Sequence, residues 1–150
     1  MAKKLIKNGF TLIELLVVIA IIALLTTIAV VSLNNARQKS RDAGRISNVK
    51  QIQTALELYF ADQNGYPVEA LAVTLGVSPN DCFDEDGFVD ICDAGGTTYM
   101  GTVPANPTPG GAAYSYTSTD GSTYSMTFTL EGATGGLAAG AHTATPSGIQ

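Results

Sequence analysis

Glu14 is the residue of this 150-residue chain whose surroundings are most unusual for its chemistry. It lies inside the apolar run from Phe10 to Leu33, where every other polar residue is a threonine or a serine. An ionised carboxylate in a lipid-embedded helix costs at least about 2.5–3.5 kcal/mol, so such groups are usually paired with a cation and functional. The alternative is that Glu14, one turn from the helix start, reaches the lipid headgroups.

Cys82 and Cys92 are the only cysteines and are separated by nine residues. On an exported domain we expect them to form a disulfide, because such bonds persist in oxidising compartments. Closing so short a loop contributes about 3 kcal/mol in the chain-entropy description of disulfides. Two reduced thiols are the alternative.

The acidic segment from Asp84 to Asp93 is similar to a calcium-binding loop when it is aligned on Gly87. Calcium takes about six to eight oxygen ligands, and clustered carboxylates repel one another without a cation. Two features depart from the pattern: Cys82 occupies the first ligand position, and the closing residue is aspartate rather than glutamate. The alternative is a solvated acidic loop. The expected ligands are the carboxylates of Asp84, Asp86, Asp90 and Asp93 and the backbone carbonyl of Phe88.

The sequence offers no catalytic constellation. The single histidine, His142, lies in a segment rich in Gly and Ala with no nucleophile and base beside it. Phosphate-binding loops, dinucleotide fingerprints and zinc-ligand spacings are missing from the sequence. We therefore predict that the protein is not an enzyme and that calcium is its one candidate cofactor.

The apolar run that carries Glu14 is long enough to cross a membrane. Its twenty-four residues would form a helix about 36 Å long, against a hydrocarbon core of about 30 Å. A secretory signal peptide is the competing interpretation, but its apolar core is only about 7–15 residues and ends at a small-residue cleavage site. Residues 10–33 are thus predicted to span a membrane.

Helical periodicity continues beyond the apolar run. Apolar residues recur at spacings of three and four on an otherwise polar segment, which predicts an amphipathic helix over residues 34–63. Asn64-Gly65-Tyr66-Pro67 supplies the residues that end a helix. The apolar positions of this stripe are Ile46, Val49, Ile52, Leu56, Tyr59 and Phe60.

The C-terminal half has a β pattern. Apolar residues at even positions alternate with Ser and Thr at odd ones, with a turn at Asp120-Gly121 between two runs, which predicts an antiparallel hairpin with one buried face. We expect this face to pack on the amphipathic helix, giving an α+β fold. Residues 64–132 form the predicted globular head, and residues 133–150, rich in Gly, Ala and Thr, a loosely ordered tail or an edge strand. The alternating residues are Tyr114, Tyr116, Tyr124, Met126, Phe128 and Leu130.

The charges are unevenly divided along the chain. All eight basic residues lie in the first fifty positions, and residues 51–150 hold eleven acids and no Lys or Arg. Phosphate contacts need clustered Lys and Arg, so direct nucleic acid binding by the head is not expected.

The run KNGFTLIELLVVIAIIALL, from Lys7 to Leu25, resembles the class III signal of type IV prepilins and of type II secretion pseudopilins. That pattern is a short basic leader ending in Gly, then Phe, then an apolar helix with Glu four residues later, and Gly9, Phe10 and Glu14 match it. The resemblance implies a type IV pilin-like fold, with a long N-terminal helix packed on a small antiparallel sheet.

The resemblance also implies how the chain is processed and assembled. A prepilin peptidase would remove residues 1–9 by cutting between Gly9 and Phe10, and the new Phe10 amine would be methylated. The apolar helix would first be held by membrane lipid and would then form the core of a helical filament of identical subunits, built on an inner-membrane assembly platform. Glu14 would pair with the Phe10 amine of a neighbouring subunit and set the axial register.

We therefore interpret the chain as a structural subunit of a type IV pilus-like filament. It would be a single-pass inner-membrane protein with its N-terminus inside, and later part of an extracellular or periplasmic filament. Two alternatives stay open. The first is the major pseudopilin of a type II secretion system. The second is a membrane-anchored binding module, which would need neither Gly9 nor Glu14.

A basic cluster follows the apolar run at Arg37, Lys39, Arg41 and Arg45. It is interpreted either as a solvated collar at the headgroup level or as a surface that meets acids on neighbouring subunits.

Overall fold

The computed structural model describes residues 10–150 and contains one helix and eight strands in that range. Helix α1 runs over Leu12–Gln63, a length of 52 residues. It ends at Asn64, whose φ of 57° is left-handed and whose backbone N–H donates to the Phe60 carbonyl at 2.8 Å. The single long helix predicted from the periodicity is therefore confirmed.

The chain divides into two compact units, one ending at Arg37 and the other covering Gln38–Gln150. In the first unit, every residue from Phe10 to Arg37 is exposed. In the second unit, one face of the helix is buried, because Val49, Ile52, Ala55 and Leu56 belong to the hydrophobic core.

The strands of the second unit form two antiparallel sheets. The larger has five strands in the order β1-β5-β6-β7-β8, and the smaller has three in the order β3-β2-β4. The strand bounds are β1 Glu69–Thr74, β2 Cys82–Asp84, β3 Gly87–Val89, β4 Thr98–Met100, β5 Ser115–Ser118, β6 Ser125–Leu130, β7 Gly140–Thr145 and β8 Gly148–Ile149.

The core lies between the helix and the larger sheet, as the alternating pattern predicted. β5 pairs with β6 through Tyr116 opposite Met126, and both side chains are completely buried. All six apolar residues of the alternating pattern are buried, so the prediction of one buried face is confirmed. The α+β fold class is confirmed with it.

Residues after Leu130 extend the sheet instead of forming a loose tail. β7 pairs with β6 over five residue pairs, and β8 forms the sheet edge beyond it. Ala144 is completely buried opposite Met126. Small side chains here allow a strand to lie close to the core, which the composition alone did not distinguish from a tail.

Candidate functional site

Glu14 is bound by the first turn of its own helix. The backbone N–H and the hydroxyl of Thr11 both donate to Glu14 Oε2 at 2.8 Å. In return, the Glu14 N–H donates to Thr11 Oγ1 at 3.3 Å. This reciprocal arrangement is a capping box, which satisfies backbone donors that a helix start leaves free. The carboxylate is thus held in place, and its Oε1 accepts no hydrogen bond within residues 10–150.

Phe10 precedes this turn, and its side chain is 81% exposed. Gly9, the other predicted cleavage residue, lies outside the residues that the structure describes. Phe10 and Glu14 therefore occupy the start of α1 as the motif requires, with the Glu14 carboxylate ordered.

The helix beyond Glu14 presents apolar side chains on every face. By length and composition it is the one helix in residues 10–150 that could cross a membrane, and no residue of its most apolar stretch is buried. The hydroxyls of Thr26 and Thr27 each donate to a helix carbonyl at 2.7 Å. These two polar side chains therefore need no partner outside the helix, which suits an apolar environment.

Cys82 and Cys92 are joined by a disulfide, as predicted. Their Cα atoms are 5.6 Å apart, within the usual range for such a bond. Cys82 begins β2, and the bond ties it to the segment that follows β3.

The predicted calcium loop folds as a β-hairpin. Asp84 is almost fully buried, and its two carboxylate oxygens accept the N–H groups of Asp86 at 3.0 Å and Asp93 at 2.9 Å. Phe88 lies in β3 opposite Phe83, with the ring centroids 4.6 Å apart. Aromatic packing and strand pairing organise this segment.

The remaining acids of the segment do not converge. Asp86 and Asp90 are exposed, and Asp93 accepts the Gly95 N–H at 3.2 Å. Within residues 10–150, no group of three His, Cys, Asp or Glu residues is close enough to hold a metal ion. The expected ligand set Asp84, Asp86, Phe88, Asp90 and Asp93 does not fit calcium as it is arranged.

Two residues of the predicted basic cluster bind acids within the head, one of them buried and the other half-buried. Arg45 is fully buried and donates to Asp42 Oδ1 at 2.6 Å and to Glu131 Oε1 at 2.7 Å. Arg41 forms a two-pronged contact with Glu131, with donor–acceptor distances of 2.8 and 2.7 Å. The hydrogen bonds from Arg41 and Arg45 lower the pKa of Glu131 from 4.5 to about 2.

The same buried arginine also holds a loop in place. Its remaining N–H groups donate to Asn106 Oδ1 and Pro107 O, both at 2.7 Å, and to Gly110 O at 2.6 Å. Arg45 therefore joins the helix to the loop between β4 and β5.

Comparison with known proteins bears on the N-terminal motif. A family model described as the prokaryotic N-terminal methylation motif matches residues 6–30. The chain carries this motif and is similar to type IV pilins and to type II secretion core proteins G.

Three similar proteins match the chain beyond the motif. Type II secretion system core protein G of Pectobacterium carotovorum subsp. carotovorum is 31% identical over 89 residues, 55% of this chain and 57% of that protein. The type IV wide pilus major component PilA4 of Thermus thermophilus is 38% identical over 71 residues, 47% of this chain and 54% of that protein. The type IV major fimbrial protein FimA of Dichelobacter nodosus is 32% identical over 116 residues, 75% of this chain and 65% of that protein.

These alignments span about half to two thirds of the length of the relatives. No solved structure matches the chain. The likeness to pilins and pseudopilins therefore rests on the N-terminal motif and on partial sequence similarity.

Thr11 is the site residue that the sequence interpretation of this pilin motif missed. The signal was present, because Thr followed three residues later by Glu is the sequence signature of a capping box.

Proposed function

We propose that this chain is a structural subunit of a type IV pilus-like filament. The observation that carries the proposal is a Glu14 carboxylate held by Thr11 at the start of an apolar helical segment, residues 10–33, that is exposed along its whole length. Such a surface must be covered, first by lipid and then by the same helix of neighbouring subunits.

In this proposal the leader, residues 1–9, is removed by a prepilin peptidase between Gly9 and Phe10, and the Phe10 amine is methylated. The amine is a cation, and Glu14 Oε1 is the acceptor that Thr11 leaves free. The Glu14 carboxylate of an incoming subunit would accept a hydrogen bond from the Phe10 amine of its neighbour, because a charge in an apolar core is costly until it is paired. That contact would also fix the axial register.

The proposed location follows from the same features. The subunit waits in the inner membrane with its N-terminus inside and its head outside, and the disulfide fits a head in an oxidising compartment. An assembly platform in that membrane would then extract it into the filament.

The test compares Glu14→Ala with Glu14→Gln in cells that express the full chain. Gln keeps an oxygen acceptor for the Thr11 cap and removes the charge, whereas Ala removes both. We expect both variants to reach the membrane at the wild-type amount and to form no filaments visible by electron microscopy. Normal filaments from Glu14→Gln would overturn the charge-pairing step, and a wild-type chain that reaches the membrane but forms no filaments would favour a membrane-anchored binding module.

A type II secretion pseudopilin is the second candidate, because relatives named core protein G match the chain. The two candidates differ in what a deletion strain loses. Loss of surface filaments with normal export of secreted enzymes supports the pilus, and loss of enzyme export supports the pseudopilus.

A further inference from the structure

Two arginines of the second unit are neutralised by acids of the same unit, so they are not available to other molecules. Arg41 and Arg45 are paired with Asp42 and Glu131. Between Gln38 and Gln150 this leaves two basic residues, Lys39 and Lys50, against ten acids. Copies of so acidic a unit repel one another unless the two lysines are placed where they meet acids.

Both lysines lie on one exposed face of α1. They are eleven residues apart, which brings them to within about 20° of the same direction and about 16 Å apart along the axis. This direction lies about 100° around the helix from that of the buried residues Val49 and Leu56. Neither lysine forms an ion pair with any residue between Phe10 and Gln150. The lysine face consists of Lys39, Ala43, Ser47, Lys50, Thr54 and Leu58, all exposed.

The complementary surface is the hairpin closed by the disulfide. Its exposed acids Asp86 and Asp90 accept no hydrogen bond from other side chains or from the backbone within residues 10–150. Ile91 beside them is 82% exposed. The disulfide and the buried Asp84 carboxylate fix this segment, so little order is lost when a partner binds it. We call residues 82–93 the acidic hairpin.

We propose that the lysine face of one copy receives the acidic hairpin of a second copy. This inference rests on the proposed function, since it names the surface by which neighbouring heads meet in the filament. Lys50 faces Asp86 and Asp90, and the exposed Leu58 provides an apolar contact for Ile91. Ala43 and Ser47 are small enough for the hairpin to approach the helix backbone. The opposite charges favour this pairing over one that brings the acidic hairpins of two heads together.

The first experiment uses carbodiimide, which joins a lysine amine to a carboxylate in direct contact. Cells co-express two full-length copies, one with Lys50→Gln and the other with Asp86→Asn and Asp90→Asn. A link between Lys50 and Asp86 or Asp90 can then form only between two molecules. We expect this link in chymotryptic peptides analysed by mass spectrometry. Its absence, while Lys50 links to other acids, overturns the proposal.

The second experiment exchanges the charges in the full chain. Lys50→Asp or Asp90→Lys alone should reduce the amount of sheared filament by about tenfold, because like charges then face each other. The double variant should recover most of it. Lys50→Gln and Thr119→Glu are matched controls, since each lowers the charge by one at an exposed position and only the first changes the lysine face. Equal loss from both controls, or no recovery in the double variant, overturns the proposal.

The outcomes separate the interface from the function. If wild-type chain forms no filaments and no cross-links between copies, the proposed function fails and the interface fails with it. If wild-type filaments form but Lys50 is linked to no hairpin, only the interface fails. Vesicles of anionic phospholipid are added in a parallel reaction. If they shield Lys50 from carbodiimide coupling and no link to a hairpin is found, the lysine face binds lipid and the proposal is overturned.

Discussion

Arg45 Nη1 lies 2.6 Å from Asp42 Oδ1, and both side chains are completely excluded from solvent. The Asp42 carboxylate also accepts the N–H groups of Glu131 and Gly132, each at 2.9 Å. One turn of α1 is therefore tied to the end of β6 by a charged pair whose hydrogen-bonding groups are satisfied. Such a pair fixes geometry more than it adds stability, whereas breaking it is costly.

Replacing Arg45 with Met should strongly destabilise the chain. The change leaves the Asp42 carboxylate buried without its cation and removes the hydrogen bonds to Asn106, Pro107 and Gly110. We expect the free energy of unfolding to fall by about 3–5 kcal/mol. Chemical denaturation of the full chain in detergent, followed by circular dichroism, measures it.

The matched control is Lys50→Met, which removes a cation from an exposed position of the same helix. It should change the free energy of unfolding by about 0.5 kcal/mol or less. Similar losses from both variants would mean that the buried network does not hold the head together.

Gly111→Ala tests the same network from the loop side. An added Cβ would lie 2.8 Å from Arg45 Nε, and the φ of Gly111 is +71°, which disfavours a side chain. Gly136→Ala is the control, because its φ is +85° and no atom lies within 4 Å of the added Cβ. The backbone conformation costs each variant about 1–2 kcal/mol.

Gly111→Ala should therefore unfold at a lower denaturant concentration than Gly136→Ala, because it alone displaces the guanidinium. Equal midpoints for the two variants would show that the loop moves away from Arg45 without cost.

Local sequence patterns predicted which faces of the helix and of the hairpin are buried. They did not predict contacts between residues that are distant in the sequence. The alternation through Tyr114 to Leu130 and the stripe through Leu56 depend on neighbouring positions, so the sequence alone indicates which faces are buried. Arg45 and Glu131 are 86 residues apart, and no local pattern selects Glu131 from eleven candidate acids. For the acidic segment, the spacing around Gly87 indicates a calcium loop, and it does not reveal that Phe83 and Phe88 pack together across a hairpin.

Acid should weaken the head through Glu131. Arg41 and Arg45 lower the pKa of Glu131 in the folded chain to about 2, against 4.5 in the unfolded chain. The unfolded state binds the proton more readily, so the stabilisation is complete above about pH 4.5 and is lost as the pH falls towards 2. The melting temperature of the full chain should decrease over this range.

Other carboxyls titrate in the same range, so the comparison is with Glu131→Gln. Near neutral pH, the melting temperature of the Glu131→Gln variant should be lower than that of the unaltered chain. Below pH 4.5 it should fall less steeply than that of the unaltered chain. Parallel curves for the two proteins would rule out Glu131 as a source of the acid sensitivity.

Calcium should leave the melting temperature of the full chain unchanged. A ligand that binds only the folded state stabilises it by mass action, by about 2.7 kcal/mol at a ligand concentration one hundred times the dissociation constant. The melting temperature then rises. Asp84 uses both oxygens to bind backbone N–H groups, and the other acids of the hairpin do not converge on one point. Thermal melting at millimolar calcium, with magnesium at the same ionic strength as control, measures this. A higher melting temperature with calcium alone would mean that the hairpin reorganises around the ion. Calcium takes about six to eight oxygen ligands, so the acids would have to move together to bind it.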